Sequence, residues 1–438
     1  MNKRLLFSTF VAIGMAGCVT APTPPRLANP TAPVPPVDKH FWWGTSTSSF
    51  QNEDEGLSKT SPYYFKTDWD VFADEGHAPH RGDASSSWTR FDADLAAVKL
   101  LGVNHFRFSI EWARVEPRPG VYDEAAIRQY VRMARELRAA GIEPIVTLWH
   151  FTFPSWLYDK NDKSAVNFLN PQARPHWNAF VRRMVRELKP YVRAYVPQNE
   201  PNGAVQLGYL GGHWPPGLLL RPYSYKHALQ ASADMFRDAA NIIHQERPDA
   251  WVIGIYSVPN WKRNFLLDPT GMTYNTMMRQ NFDHLDKVYD TVDVIGVNYY
   301  YTQDAAISAF LNHGQGEVGS RYTQMGWQIV PEGLYDVLQT VFKRYRKPLI
   351  ISENGLGTQS EQKKIRYFRD HINQMRRAMA DGVTVQGYFA WTLVDNFEWT
   401  EGYTANFGLT HFDPKTKVRI LGPSALWYRD FIRSHPMP

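Results

Sequence analysis

Two glutamates end strand-like runs and are followed at once by turn residues. The stretch "RAYVPQNEPNG", residues 193 to 203, carries Glu200, and "KPLIISENG", residues 347 to 355, carries Glu353. Short runs of β-branched and aliphatic residues suit strands covered on both faces, so each carboxylate falls at a strand's C-terminal tip. One such glutamate is equally well read as an inert surface turn, whereas two form a chemical set. Paired carboxylates suit cleavage of a glycosidic bond. One, protonated, assists the leaving oxygen, while the other, ionised, attacks or stabilises the sugar cation. The charge on the second raises the pKa of the first, and Arg107 is the cation available to keep the attacking group ionised.

Other chemistries find no support in the spacing. The 14 histidines show no H-E-x-x-H pattern, and the single cysteine rules out a cysteine cluster. Phosphate-cradling glycine loops of the G-x-x-x-x-G-K-[ST] or G-x-G-x-x-G type are absent as well. No metal and no cofactor are therefore expected. A substrate would meet carboxylates, amides and aromatic rings, which suits a neutral sugar. The formal charge of +5 is scattered without a basic stripe, which speaks against nucleic acid. Fifteen tryptophans fit a heavy core or stacking platforms for sugars.

The elements that must position these residues alternate along the chain. Strand candidates are "FWWGTSTS" (41 to 48), "NHFRFSI" (104 to 110), "PIVTLWH" (144 to 150), "AYVPQN" (194 to 199), "WVIGIYS" (251 to 257), "DVIGVNYY" (293 to 300), "PLIIS" (348 to 352) and "QGYFAWTL" (386 to 393). Segments of helical spacing lie between them, among them "EAAIRQYVRMARELRAAG", "RPHWNAFVRRMVREL" and "KKIRYFRDHINQMRRAMADG". Eight alternating units predict a closed (β/α)8 TIM barrel, a fold whose active sites sit at the C-terminal strand ends. Gln51, Arg107, Glu111, His150, Asn199, Glu200, Asn298, Tyr300, Glu353, Trp391 and Asp395 all cluster at those ends. Singly, His150 reads as a satisfied core histidine, Arg107 as a structural ion pair and Tyr300 as a core ring. Jointly they converge on one rim.

The N-terminus reads as a targeting segment. Lys3 and Arg4 precede "LLFSTFVAIGMA", which is short for a membrane span, and "GMAGC" then delivers Cys18. This resembles a bacterial lipobox with Met15 in place of the usual leucine, implying cleavage before Cys18 and lipidation of its thiol. An ordinary signal peptide or an uncleaved anchor fits the same pattern. The expected organisation is a lipoprotein-type signal over 1–18, a Pro-rich linker over 19–39 and one catalytic domain over 40–438. The expected location is the bacterial cell envelope, periplasmic or on the cell surface, with the membrane as partner through Cys18.

From His40 onward, "FWWGTSTSSFQ", "HFRFSIEWARVEP", "LWHFTFPSWL", "NEP", "GVNYY", "GWQIVPEGLYDVL", "ISENG" and "YFAWTLVDNFEWTEGYTANFGL" follow one another. In these motifs the chain resembles glycoside hydrolase family 1, the β-glucosidase and β-galactosidase family. The resemblance implies Glu200 as general acid/base and Glu353 as nucleophile, with Arg107 and Tyr300 orienting and charging the nucleophile and Asn298 nearby in the catalytic set. It implies Asn199 as partner of the sugar 2-hydroxyl, Gln51, His150, Glu398 and Trp399 as glycone binders, Trp391 as the platform under the ring, and Trp327 as the aglycone wall. The family retains anomeric configuration, so the carboxyls should stand about 5 to 5.5 Å apart. A carboxylate at Glu398 should repel a phosphate, which favours unphosphorylated β-linked oligosaccharides or glycosides as substrates. Pro197 and Gln198 replace the family's usual residues before "NEP", and Asn406 replaces a common arginine. The same residues also permit a transglycosidase that passes the sugar to another hydroxyl, or a surface carbohydrate-binding protein without catalysis.

Overall fold

The buried apolar runs pair in parallel because a helix carries the chain back after most of them. The computed structural model describes residues 33–306 and 321–434, so Cys18, the 1–18 segment and most of the 19–39 linker lie outside the described residues. Eight strands close into a barrel: β1 (Trp42–Ser46), β2 (His105–Ser109), β3 (Glu143–Thr147), β4 (Ala194–Val196), β5 (Trp251–Ser257), β6 (Val294–Asn298), β7 (Leu349–Asn354) and β8 (Val385–Trp391). Each pairs with its neighbour in sequence, and β8 returns to pair with β1. The predicted (β/α)8 barrel is therefore the fold.

Six strands end sooner than the sequence predicts, two of them by three residues. β3 stops at Thr147 and β4 at Val196, not at His150 and Asn199. Beyond those points the chain still bonds laterally, Asn199 N–H to the Trp149 carbonyl at 2.9 Å and Glu200 N–H to that of Ile255 at 3.0 Å. The paired ladder gives way where side chains turn from filling the barrel to lining its mouth.

The barrel is filled in layers. Trp42, Ile145, Val196, Ile253, Val294, Ile350 and Phe389 form a dry interior cluster. Gly44 admits the Phe389 ring, since a Cβ there would sit 2.3 Å from it. Outside, amphipathic helices cover the strands. Helix Ala173–Leu188 buries Trp177, Phe180, Val181, Met184, Val185 and Leu188, the three-and-four spacing of a core-facing stripe. Helix Glu124–Ala139 starts where Asp123 accepts from the N–H groups of Ala125 and Ala126. Helices Pro201–Tyr209, Met272–Phe282, Glu332–Tyr345 and Pro423–Ser434 lie outside the segments quoted above for helical spacing. Among the described residues no helix is long and apolar enough to cross a membrane.

Candidate active site

Glu200 and Glu353 face one cavity of about 1210 Å³ at the C-terminal end of the barrel. Glu353 lies at the end of β7, in register with Asn298 of β6. Its Oε1 accepts from Arg107 Nη1 at 2.7 Å, and its Oε2 accepts from the Tyr300 hydroxyl at 2.7 Å. Arg107 is itself fixed on three sides, donating also from Nη2 to Asn199 Oδ1 at 2.6 Å and from Nε to Thr147 Oγ1 at 2.9 Å. Burial raises the Tyr300 hydroxyl well above its ordinary pKa, so it stays a donor.

Glu200 is presented differently. It sits between β4 and helix Pro201–Tyr209 with a left-handed backbone, φ 42°, a conformation that costs a residue with a β-carbon about 1–2 kcal/mol. Pro201 opens the helix at a position whose N–H would have no partner in any case. The Glu200 Oε1 accepts from Asn298 Nδ2 at 2.6 Å, and Asn298 is held in turn by Ser352, whose hydroxyl donates to Asn298 Oδ1 at 2.7 Å.

The two carboxyl groups are therefore inequivalent. Burial, and then the neighbouring Glu353, push Glu200 up to about 8. Burial lifts Glu353 too, but Arg107 and the Tyr300 hydroxyl oppose it, so Glu353 is the member of the pair that ionises first. The pair thus offers an acid in Glu200 and, beside Arg107, a base in Glu353. Among the described residues no cluster of histidine, cysteine or carboxylate side chains could hold a metal ion.

Around the carboxyls stand amides and rings. Gln51 donates from Nε2 to Glu398 Oε2 at 3.0 Å and accepts from the Ser48 hydroxyl at 2.8 Å. Burial, and then Glu353, raise Glu398 to about 8. His150 lies between Trp391 and Trp399, with centroids 6.0 and 6.2 Å away and planes within 19° and 9°. Burial and Arg107 hold His150 well below its ordinary pKa, hence neutral. Trp327 leans on Tyr300 and Tyr301 on the opposite wall.

All but three of the residues expected in the site line this cavity. The exceptions, Arg107, Asn199 and Asn298, are fully buried and hydrogen-bonded to one another or to the two glutamates. Two other rim residues do not reach the cavity. Glu111 accepts from Thr152 and from Ala113 N–H, and Asp395 accepts from Gly408 N–H and pairs with His411. Both hold loops. Thr147, Ser352 and Ser48 were not anticipated, although a hydroxyl within an otherwise apolar run, as in "PIVTLWH" and "PLIIS", was a signal for the first two.

The match to known proteins agrees with this arrangement. Residues 35–265 and 272–437 match the model of the glycosyl hydrolase family 1 domain. The chain belongs to glycosyl hydrolase family 1. Among curated relatives, a bifunctional β-D-glucosidase/β-D-fucosidase of Bifidobacterium breve is 29% identical over 465 residues, covering 91% of this chain and 98% of its own. Among solved structures, a β-glycosidase from Pyrococcus horikoshii superposes with a TM-score of 0.79 at 29% identity, covering 92% of this chain and 96% of its own. A β-glucosidase from Thermotoga maritima in complex with glucoimidazole gives 0.77 at 25% identity, covering 92% of this chain and 100% of its own. As a family 1 member the protein is a β-glycosidase acting on O-glycosyl bonds.

Within family 1 the chain's unusual residues have local explanations. Gln198 exchanges hydrogen bonds with Ser232 of helix Pro222–Glu246: the serine hydroxyl donates to Gln198 Oε1 at 2.8 Å, and Gln198 Nε2 donates to the serine carbonyl at 3.2 Å. His284 and Tyr256 continue this buried network behind β4. Asn406 pairs with Gln324 through N–H to Oε1 at 2.8 Å and Nε2 to Oδ1 at 3.3 Å, linking the segment after β8 to the Trp327 wall.

Proposed function

We propose that the protein is a retaining β-glycosidase for unphosphorylated β-glucosides, β-galactosides or β-fucosides, with Glu353 as nucleophile and Glu200 as general acid/base. The observation that carries this reading is the unequal environment of the two carboxyls: one clamped by Arg107 and Tyr300, the other buried against an amide. Glu353 attacks the anomeric carbon while Glu200 gives its proton to the departing oxygen, leaving a glycosyl ester on Glu353. Glu200, now ionised, takes a proton from water, whose oxygen attacks the same carbon and releases Glu353. Two displacements retain the configuration. Gln51, His150, Glu398 and Trp399 bind the glycone over Trp391, Trp327 faces the aglycone, and Asn199, buried behind the wall, reaches the 2-hydroxyl only if its bond to His150 gives way.

The preference for unphosphorylated sugars rests on different ground from the sequence argument. With Glu398 raised to about 8, like-charge repulsion at neutral pH is weak. What disfavours a phosphate is that the described cavity wall contains glutamates but no lysine or arginine. No cation there would offset the charge of a phosphate that sheds its water.

The test is a panel of nitrophenyl β-glucoside, galactoside, fucoside and mannoside. Release of nitrophenol from one or more of the first three is expected, with the 6-phosphoglucoside turned over at least 10-fold less well. A preference for the phosphorylated sugar would overturn the substrate assignment.

A pH prediction follows from the same pair. Glu200 must be protonated to act as acid, so kcat/KM for a substrate with a poor leaving group should fall as pH rises through about 8. It should also fall at low pH as Glu353 takes up a proton. With an activated aryl glycoside, the Glu200→Ala variant should lose the alkaline limb. Persistence of that limb would assign it to Glu398.

We further propose the segment over 1–18 as a lipoprotein signal, 19–39 as a tether and 40–438 as the hydrolase domain, held at the cell envelope through Cys18. The motif "GMAGC" and the Pro-rich composition after it support this reading.

A further inference from the structure

Between strand Asn260–Lys262 and helix Met272–Phe282 the chain forms a projecting loop with three consecutive apolar side chains at its tip. Phe265 is 71% exposed, Leu266 88% and Leu267 55%, and Met272 at the loop's return is 48% exposed. The loop is internally fixed. Asn264 Oδ1 accepts from the N–H groups of Leu266 at 3.1 Å and Leu267 at 3.0 Å, and its carbonyl accepts from Asp268 N–H at 2.8 Å. The Asp268 carboxylate is buried and accepts from Tyr274 N–H at 2.9 Å. Adjacent apolar side chains held in water on a hydrogen-bonded loop form the kind of patch that marks a contact surface.

We propose that this tip inserts into the surface of a lipid bilayer and turns the mouth of the cavity toward it. Three observations choose lipid over a protein partner. Four side chains present a few hundred Å² at most, short of the ~800 Å² per partner that a stable protein interface buries. The charge at the loop's base is cationic: the Arg263 guanidinium lies 4.4 Å from the Phe265 ring centroid, while the loop's one carboxylate is turned inward. An apolar tip backed by a guanidinium matches the interfacial layer of an anionic membrane. Finally, Trp261 just before the loop and Met277 just after it both line the cavity, so the inserted tip stands beside the site. The family match breaks over residues 266–271, the stretch that holds Leu266 and Leu267.

The chain's single cysteine makes the test local. In the full-length C18A background, Leu266→Cys is labelled with an environment-sensitive fluorophore, with Leu100→Cys, exposed on helix Phe91–Leu101, as control. Adding vesicles of phosphatidylethanolamine and phosphatidylglycerol should blue-shift and brighten the label at 266 several-fold and leave the label at 100 unchanged. Turnover of soluble nitrophenyl glycosides should be unchanged in both, which keeps this result separate from the assignment of the active site. No shift at 266 overturns the proposal, as does an equal shift at 100, which means general adsorption. A shift that grows with protein concentration in the absence of vesicles also overturns it, assigning the tip to a second copy of the chain.

Discussion

Glu353→Ala is expected to lose turnover of every nitrophenyl glycoside by at least ~10,000-fold, because no other group can form the covalent intermediate. From sequence, a rim glutamate should be removable with little effect on folding. The geometry revises this. Glu353 is the carboxylate facing Arg107, a guanidinium 1% exposed, and its removal leaves that cation with only Asn199 and Thr147 as partners. Stability should fall by about 3 kcal/mol in the alanine variant. Glu353→Gln keeps an oxygen for Arg107 and should melt closer to the parent while remaining as inactive. Measuring both variants separates chemistry from folding: turnover retained in either would reject Glu353 as nucleophile, whatever the melting temperature.

Glu200→Ala should divide substrates by their leaving groups. A sugar or alkyl leaving group needs the proton, so its turnover should fall ~100- to 10,000-fold, whereas a dinitrophenyl group departs without help and should form the glycosyl intermediate nearly as fast as in the parent. The intermediate should then accumulate, because water has lost its base. Azide, which needs no base, should relieve that block and yield a glycosyl azide of retained configuration. Equal losses for both leaving groups, with no effect of azide, would show that Glu200 is not the acid/base.

Much of this was legible in the chain because barrels advertise their strands. Each of the eight buried runs is short, apolar and bounded, and all eight formed. What failed was the reading of the ends. Apolar residues continue past Thr147 and Val196, as Leu148, Trp149 and Pro197, so periodicity could not show that the ladder stops where the mouth begins. Helix Met272–Phe282, "MTYNTMMRQNF", escaped notice because its stripe is polar and thin: Gln280 and Asn281 are buried alongside Met277 and Phe282. The glutamates, Arg107 and the tryptophans announced themselves by type and motif. Thr147 and Ser352 left only a faint sign, a hydroxyl in an apolar run, since their importance lies in which way an arginine and an asparagine point, a matter of register between neighbouring strands.

The crowding of glutamates in the cavity has a further consequence for the empty protein. Glu200 and Glu398, both raised to about 8, bind protons more tightly folded than unfolded. Their contribution to stability is therefore fullest below the ordinary carboxyl range and is lost as pH climbs through about 8. Heat resistance should thus decline as pH rises from the ordinary carboxyl range to about 8. Ligand occupancy adds stability by mass action whenever the folded form alone binds it. In alkaline surroundings the protein's lifetime then depends on its diet: the fed enzyme outlasts the starved one.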